Sequence, residues 1–376
     1  MPMLALYIHI PFCLRKCNYC DFFSVTTLND WEERYVDSLC KSISNKELFD
    51  QNKEPIYKLD GKPIIDTIYV GGGTPSLLSE KSFDRIFQVL YENFSFDSNI
   101  ESTLEVNPAT VDKEKLLFLR GYFNRLSVGC QSFRDIELSS LGRLHTSEEA
   151  IETVETAHKV GFENISIDLM FKIPFQTLDT FKNTLKITQD LPVNHISAYE
   201  LTFEENTPFW ENMTLLKEQI NSESDFDKCL GDLTFFKRYE VSNYAKDGYE
   251  SKHNLNYWHN GEYFGFGAGA VGYIDCVRYK YICDLEKYCD NNELEYIESL
   301  GPKGIAFENL MLGLRMTEGF PVGKVTNYLN PIEGEIFLEK VNSLKDYVIL
   351  ENGILRATQR GMDVLNSTIL ELYTWE

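Results

Sequence analysis

Three cysteines close to the start of the chain, Cys13, Cys17 and Cys20, have the spacing C-x3-C-x2-C. Cysteine thiolates bind zinc and iron–sulfur clusters. A ferredoxin run would contain a fourth cysteine, and structural zinc would need a fourth ligand, for which only His9 could be argued. Three thiolates on a four-iron cluster leave one iron without a protein ligand, which is typical of a reactive site. The spacing therefore favours a [4Fe–4S] cluster, with zinc or three unrelated cysteines as the alternatives.

A second group of residues lies at or just past the ends of predicted strands. The run GGGTP at residues 71–75 directly follows one of them. Glycines allow a backbone to approach a ligand closely and to offer N–H groups to it. Four polar residues end or follow later strands: Glu105, Gln131, Arg143 and Asp168. For each of these residues taken alone, a surface or helix-capping role is favoured. Their shared position at the ends of strands, however, predicts one ligand site.

The elements that must position these residues alternate along the first half of the chain. Strands separated by roughly 30 residues and a helix are typical of βαβ units, which predicts parallel strands. Six such units favour an α/β fold of the open, partial (β/α)6 barrel type, and a doubly wound sheet is the alternative. The predicted strands are 4–10, 66–70, 102–106, 125–129, 164–169 and 195–201, and the predicted helices are 31–48, 80–93, 112–120, 147–160 and 178–189.

The pattern changes after the sixth strand, to a segment rich in tyrosine and glycine that ends near Tyr281. A compact tail begins near Gly301, with predicted helices at 305–315 and 358–373. Between these helices, residues 347–355 predict a β-hairpin that turns at Asn352-Gly353. We therefore predict a barrel at 1–205, an extension at 206–300, and a small C-terminal winged-helix-like module at 301–376 with a structural or partner-binding role.

Composition limits the partners of the chain. Its 376 residues include 36 Lys and Arg against 58 Asp and Glu, a net charge of −22, which disfavours nucleic acid. No apolar run approaches the roughly 18 residues that a membrane span needs, although peripheral membrane contact stays open. Residues 1–12 lack the features of a secretory signal, so we interpret them as a buried strand. Nine cysteines, three of them clustered, agree with a cytoplasmic location.

The stretch YIHIPFCLRKCNYCDF, together with GGGTP, resembles the radical S-adenosylmethionine (SAM) superfamily. The resemblance implies a [4Fe–4S] cluster on the three cysteines, whose open iron takes the amino and carboxylate groups of SAM. It also implies a cofactor pocket, in which Glu105 meets the ammonium or ribose, Arg143 the carboxylate and Asp168 the ribose diol. The implied cofactor-binding residues are Tyr7, Gly72, Gly73, Thr74, Glu105, Gln131, Arg143 and Asp168.

A closer resemblance covers nearly the whole chain. YIHIPFC, GGGTPSLL, LEVNP, GCQSF, LGRLH, IDLM and HNLNYW (253–258) occur in the order found in the oxygen-independent coproporphyrinogen III oxidase family, and specifically in its HemW heme-chaperone branch. The oxidase carries a further cysteine where this chain has Phe22. It also has an N-terminal extension, whereas only six residues precede Tyr7 here. The HNLNYW motif is associated with heme binding in the chaperone branch.

Two functions follow from this resemblance. The first is a heme-binding chaperone that delivers heme to respiratory enzymes, with an electron donor protein as a further partner. The second is an oxidase that decarboxylates coproporphyrinogen III to protoporphyrinogen IX without oxygen, and we expect it less. His253 is the expected axial heme ligand, and His259 is its rival. A purely structural role is the alternative for His253, and the pair Cys283 and Cys289 has no assigned role.

Overall fold

A computed structural model describes residues 3–45, 47–49, 55–59, 61–220 and 225–375. The strands are β1 (Leu4–Ile10), β2 (Glu47–Phe49), β3 (Pro55–Lys58), β4 (Ile64–Gly72), β5 (Ser95–Val106), β6 (Arg125–Gln131), β7 (Asn164–Phe171), β8 (His195–Glu200), β9 (Lys237–Arg238), β10 (Asn243–Ala245), β11 (Glu262–Phe266), β12 (Val271–Ile274), β13 (Val277–Tyr281), β14 (Leu294–Ser299), β15 (Phe320–Pro321), β16 (Val348–Glu351) and β17 (Ile354–Ala357).

The helices connect these strands and form most of the C-terminal part. They are α1 (Leu28–Ser44), α2 (Glu80–Asn93), α3 (Lys113–Leu119), α4 (Asp135–Ser140), α5 (Ser147–Lys159), α6 (Leu178–Asp190), α7 (Pro208–Glu211), α8 (Met213–Lys217), α9 (Phe226–Gly231), α10 (Lys252–Trp258), α11 (Leu285–Asn291), α12 (Pro302–Gly313), α13 (Gly323–Thr326), α14 (Pro331–Ser343), α15 (Gln359–Asp363) and α16 (Leu365–Leu372). Short 3-10 turns lie at Pro75–Leu77 and Pro108–Thr110. In the described part of the chain, no helix is both long and apolar enough to cross a bilayer.

One large open sheet organises the fold. Its strand order is β14-β13-β12-β11-β1-β4-β5-β6-β7-β8-β10-β9, and the run from β11 to β8 is parallel throughout. The strands beyond this run on either edge are antiparallel. The expected open α/β arrangement of parallel strands with intervening helices is confirmed. Apolar and polar side chains alternate along each strand, which explains why one face of the sheet packs against helices.

Each parallel strand alternates between two faces. The outer face is apolar: Leu6, Ile8 and Ile10 of β1 are fully buried in the core that the helices complete. The opposite face, which we call the inner face, carries polar side chains at alternate positions, among them Tyr7, Tyr69, Glu105, Ser127 and Asp168. A closed barrel normally fills its interior with branched apolar residues. The polar inner face therefore indicates space for ligands.

Local signals set the helix limits. Ser79 caps α2, and Thr146 with Glu149 forms a capping box at the start of α5. The predicted helices at 80–93, 112–120, 147–160 and 178–189 correspond to α2, α3, α5 and α6. The first helix differs from its prediction, because it begins at Leu28 and ends at Ser44.

The C-terminal part has a core of its own, which begins with Ala306 and ends with Trp375. Its hairpin β16–β17 turns at Asn352 and Gly353, which both have positive φ as a type I′ turn requires. The helix predicted at 358–373 is instead interrupted at Val364 between α15 and α16. The winged-helix description stays a prediction, as do the domain limits, since strands from both sides of residue 205 share the large sheet.

Candidate cluster and cofactor site

The three cysteines lie on a loop that follows β1 at the carboxyl edge of the sheet. Two backbone hydrogen bonds close this loop: Cys13 N donates to Val25 O (2.9 Å), and Val25 N donates to Pro11 O (2.7 Å). On the far side of the loop, Asn18 N donates to Leu141 O (3.0 Å). Backbone hydrogen bonds therefore hold the cysteine loop at both its ends and in its middle.

The glycine run packs directly beneath the cysteine loop. Gly73 N donates to Ile10 O (2.8 Å), and Thr74 N donates to Phe12 O (2.7 Å). A Cβ atom on Gly73 would lie only 2.7 Å from the carbonyl oxygen of Phe12, so a side chain there would push the two loops apart. Glycine at this position follows from the close approach of two backbones. The approach to a ligand that is expected of the glycine run stays a prediction.

The cysteine side chains are free and partly exposed. Thr74 Oγ1 donates to Cys13 Sγ (3.6 Å), and Arg143 Nη1 donates to Cys17 Sγ (3.5 Å). Burial raises the pKa of the Cys20 thiol to about 11. Among the residues that the structure describes, no three His, Cys, Asp or Glu side chains converge on a single metal ion. A four-iron cluster is wider than one ion, so its thiolate ligands do not need to converge on one point.

Glu105 connects the glycine run to the inner face. Its carboxylate accepts hydrogen bonds from Tyr69 Oη (2.8 Å) and from Gly72 N (3.0 Å). A Cβ atom on Gly71 would lie 2.8 Å from this carboxyl group, so the glycine leaves room for it. Burial, together with the nearby charge of Asp168, raises the pKa of Glu105 to about 7. The group can therefore gain or lose a proton near neutral pH.

Tyr7 and His9 extend the inner face beside this carboxylate. Tyr7 Oη donates to His9 Nδ1 (2.9 Å), and His9 Nε2 donates to Phe23 O (3.0 Å). Because a carbonyl oxygen only accepts, the proton of the neutral ring lies on Nε2. Burial lowers the pKa of His9 to about 4, which keeps the ring neutral. Gly72 has φ +112°, and a Cβ atom there would lie 2.5 Å from the His9 ring.

Asp168 lies across the inner face from Glu105. Ser127 Oγ donates to its carboxylate at 3.2 Å. Burial raises the pKa of Asp168, while hydrogen bonds from Ser197 and Ser127 oppose this effect. Two half-buried carboxylates on one concave face, each with few partners in the protein, form a set of hydrogen-bond acceptors that suits an ammonium group and a ribose diol.

Arg143 reaches the same edge of the sheet from the segment after α4. Its Nη2 donates to Gly129 O (2.7 Å), and its buried Nε has no hydrogen-bond partner. Gln131 is the last residue of β6 and has φ +66°, an uncommon conformation for a residue with a side chain. Arg143 also lines a depression shared with Cys17, Thr74 and the exposed Leu14. The guanidinium thus retains an unused donor beside the cysteine loop.

His253 occupies a different place. It lies on α10, is buried, and uses both ring nitrogens within the protein: Nδ1 contacts Thr67 Oγ1 (2.8 Å) and Nε2 contacts Tyr257 Oη (2.8 Å). Burial lowers the pKa of His253 to about 3. Thr67 precedes Gly72 by five residues, about 16 Å along β4, so His253 contacts this strand well before the glycine run. In this arrangement neither nitrogen is available to iron.

His259 is the more accessible of the two histidines. Its side chain is 39% exposed, and Nε2 lies 3.6 Å from Glu318 Oε1. Either histidine as a heme ligand stays a prediction, and His253 would first have to break its contact with Thr67 or Tyr257.

The predicted cofactor and cluster residues otherwise meet at the carboxyl edge of the sheet. The structure brings together Cys13, Cys17, Cys20, Tyr7, Gly72, Gly73, Thr74, Glu105, Gln131, Arg143 and Asp168. Sequence analysis missed Tyr69, Ser127 and Arg125, which lie on the same inner face. Polar residues at every second position of otherwise apolar strands were the signal that could have revealed them.

Comparison with known proteins identifies the class. The family model described as the radical SAM superfamily matches residues 7–187. A solved Escherichia coli structure, described as coproporphyrinogen III oxidase (HemN), a radical SAM enzyme, superposes with a TM-score of 0.81. That superposition covers 100% of this chain and 91% of the other at 20% identity, so it shows the fold. The fold and the site define a radical SAM protein, a class that implies SAM and a [4Fe–4S] cluster.

Curated relatives narrow the family. The chain is 33% identical to the heme chaperone HemW of Lactococcus lactis over 96% of this chain and 95% of the relative. It is 36% identical to the heme chaperone HemW of Bacillus subtilis over 84% of each chain. The protein of the same name from Haemophilus influenzae is 33% identical over 100% of this chain and 99% of its own. The chain therefore belongs to the HemW family of radical SAM proteins.

Proposed function

We propose that this protein is a heme-binding chaperone that carries a [4Fe–4S] cluster on Cys13, Cys17 and Cys20 and binds SAM beside it. The observation that carries the proposal is the convergence of the cysteine loop, the glycine run and Arg143 at one edge of the sheet, in a chain similar to HemW proteins over its whole length. We further propose that it delivers heme to respiratory enzymes, takes electrons from a donor protein and works in the cytoplasm.

The residues of the site fit these groups. Three thiols on one fixed loop supply the ligands of a cluster with one open iron. The unused Nε of Arg143 suits a carboxylate, because a guanidinium binds carboxylates through a planar fork. Glu105 and Asp168 would accept hydrogen bonds from the cofactor's ammonium and ribose hydroxyls. The reduced cluster would supply one electron for cleavage of SAM, and the surrounding residues bind and orient.

The oxidase activity is the second candidate, and we do not favour it. The oxidase family has an additional cysteine at the position of Phe22, and this side chain is 62% exposed beside the cysteine loop. The superposition on the oxidase HemN supports a shared fold, which hosts different activities in related proteins. The relatives aligned over most of the chain carry the name heme chaperone.

Anaerobic protein with a reconstituted cluster tests the proposal when it is mixed separately with heme and with coproporphyrinogen III, SAM and reductant. We expect a Soret band from bound heme and no protoporphyrinogen. The variant Cys17→Ala should lose its iron, whereas the matched variant Cys283→Ser, at an exposed cysteine, should keep it. Multiple turnovers of coproporphyrinogen III would establish the oxidase instead. An unchanged iron content and spectrum in Cys17→Ala would refute the cluster assignment.

A further inference from the structure

Arg125, the first residue of β6, is one of the largest fully buried side chains, with 2% of its surface exposed. It lies on the inner face, because it precedes Ser127 by two positions on the same strand. Within the described part of the chain, its guanidinium has no hydrogen bond and no carboxylate within 4.0 Å, and its Nε is buried without a partner. A buried charge without a counter-ion is costly, so a partner is expected.

The surroundings of Arg125 belong to the base of the inner face, where α10 closes the end of the sheet opposite the cysteine loop. The Glu101 carboxylate accepts hydrogen bonds from the backbone N–H groups of Lys252 (3.1 Å) and His253 (3.0 Å) at the start of α10. Asp168 accepts from Ser127. Burial raises the pKa of Asp168 and the charge of Arg125 opposes that rise, but neither carboxylate lies within 4.0 Å of the guanidinium.

Neutral groups complete the base. His195 contacts Ser166 Oγ (2.7 Å) through Nδ1 and Tyr239 Oη (2.8 Å) through Nε2. Burial first, and then the charge of Arg125, lowers the pKa of both His195 and His253, so these rings stay neutral beside the guanidinium. The base of the inner face thus combines one cation that lacks an ion pair with aromatic and hydroxyl groups, and the carboxylate of Glu101 is engaged by the backbone of α10.

We propose that the base of the inner face is a carboxylate-binding site, in which Arg125 pairs with a propionate of bound heme. The proposal rests on the heme binding proposed above. A guanidinium presents a planar pair of N–H groups that matches a carboxylate. His253, the expected heme ligand once one of its ring nitrogens is released, lies close enough to Arg125 for the guanidinium charge to lower its pKa further than burial alone. A free small carboxylate has the same chemistry and is the other source of this ligand.

Heme and its dimethyl ester, in which both propionates are esterified, separate these possibilities in titrations of the full-length protein. We expect wild type to bind heme about tenfold more tightly than the ester, the effect of one buried charge-assisted pair. In Arg125→Gln, the ratio of heme affinity to ester affinity should fall close to one. In Arg125→Lys, part of the preference for heme should remain. The matched variant Arg120→Gln removes an exposed arginine and should bind as wild type does.

A second measurement tests the free anion and does not depend on heme. Sodium acetate, compared with sodium chloride at equal ionic strength, should raise the unfolding temperature of wild type in a saturable way if a free carboxylate occupies the site. Arg125→Gln should not respond. An acetate response without discrimination between heme and ester assigns the site to a free carboxylate.

Three outcomes decide between the proposals. Equal binding of heme and ester in wild type, without an acetate response, overturns the site. Failure of wild type to bind heme at all counts against the chaperone proposal, and the acetate measurement then decides the anion site alone. If Arg125→Gln does not fold, the affinities of wild type and Arg125→Lys for heme and ester provide the test. The lysine retains a positive charge that can still pair with a propionate.

Discussion

Tyr69 joins the two ends of the inner face through Glu105. Its hydroxyl donates to Glu105 Oε1 (2.8 Å), while its ring stacks on His253 with centroids 5.1 Å apart. The same carboxylate accepts from Gly72 in the glycine run. The HNLNYW motif and the proposed cofactor pocket are therefore linked by one continuous set of contacts.

The protonation of Glu105 should control SAM binding. Burial and Asp168 raise its pKa to about 7, and the ionised form is the one that would bind an ammonium. Lowering the pH from 8 to 6 reduces that form about tenfold, so we expect a comparable loss of SAM affinity in calorimetric titrations. Glu105→Gln should lose most of this dependence. Tyr69→Phe should move the midpoint above 7, since it removes a hydrogen bond that stabilises the carboxylate. A Glu105→Gln profile identical to wild type would contradict this role.

Asp168→Ala should weaken SAM binding by ~1–3 kcal/mol, the usual loss for a charge-assisted hydrogen bond. The iron content should not change, because Asp168 does not contact the cysteine loop through any hydrogen bond in the described structure. Asp179→Ala, at an exposed position near the start of α6, is the matched control. Unchanged affinity in Asp168→Ala would show that the ribose lies elsewhere.

Arg143→Lys should also weaken SAM binding. A lysine keeps the positive charge but not the planar guanidinium. In wild type, Nη2 of this guanidinium donates to Gly129 O, while its Nε stays free for a carboxylate. We expect about tenfold lower affinity, measured at equal cluster loading. Arg120→Lys, which makes the same change at an exposed position, should bind SAM as wild type does. Equal affinity in both variants would remove Arg143 from the pocket.

Gly73→Ala should destabilise the protein and reduce its iron content together. The added Cβ atom would lie 2.7 Å from Phe12 O, so the cysteine loop would have to move. Gly334→Ala is the matched control, because nothing lies within 4 Å of a Cβ atom there and alanine favours a helix. Thermal unfolding and iron analysis test both variants. Normal iron content in Gly73→Ala would show that the loop tolerates displacement.

His253→Ala and His259→Ala should separate a heme ligand from a structural histidine. Loss of His253 should lower the unfolding temperature, since the ring holds Thr67 and Tyr257, and it should alter the Soret band if the ring ligates iron. Loss of His259 should affect heme alone if that residue is the ligand. His158→Ala, at an exposed position on α5, is the control. A Soret band unchanged in both variants would exclude both residues as ligands.

Much of the parallel sheet could be predicted because each strand pairs with a strand of a neighbouring βαβ unit. The predicted strand 4–10 coincides with β1, and the other five predicted strands overlap β4, β5, β6, β7 and β8. The pairing of β11 with β1 could not be predicted. These strands are separated by most of the chain and joined by no single crossover helix, so no local pattern links them.

For the site, too, the sequence predicted some residues and missed others. Cysteine spacing and glycine runs are local signals, and they predicted residues that the structure brings together. Tyr69 and Arg125 were missed because a polar residue in a strand has several explanations until the concave face is known. The two hydrogen bonds of His253 depend on Thr67, which lies far away in sequence, so a motif alone could not reveal that both ring nitrogens are engaged.

The supports of the cysteine loop have a consequence for biosynthesis. The cysteine loop precedes two of its supports by a long stretch of chain, because Asn18 N donates to Leu141 O (3.0 Å) and Asn18 O accepts from Phe209 N (3.0 Å). Domains fold as units during translation, so these contacts form only after Phe209 has left the ribosome. Until then the loop lacks these two contacts, and its three thiols are open to oxidation on the nascent chain. Metal insertion should therefore follow synthesis of the chain as far as Phe209, and newly made chains should be its oxygen-sensitive stage.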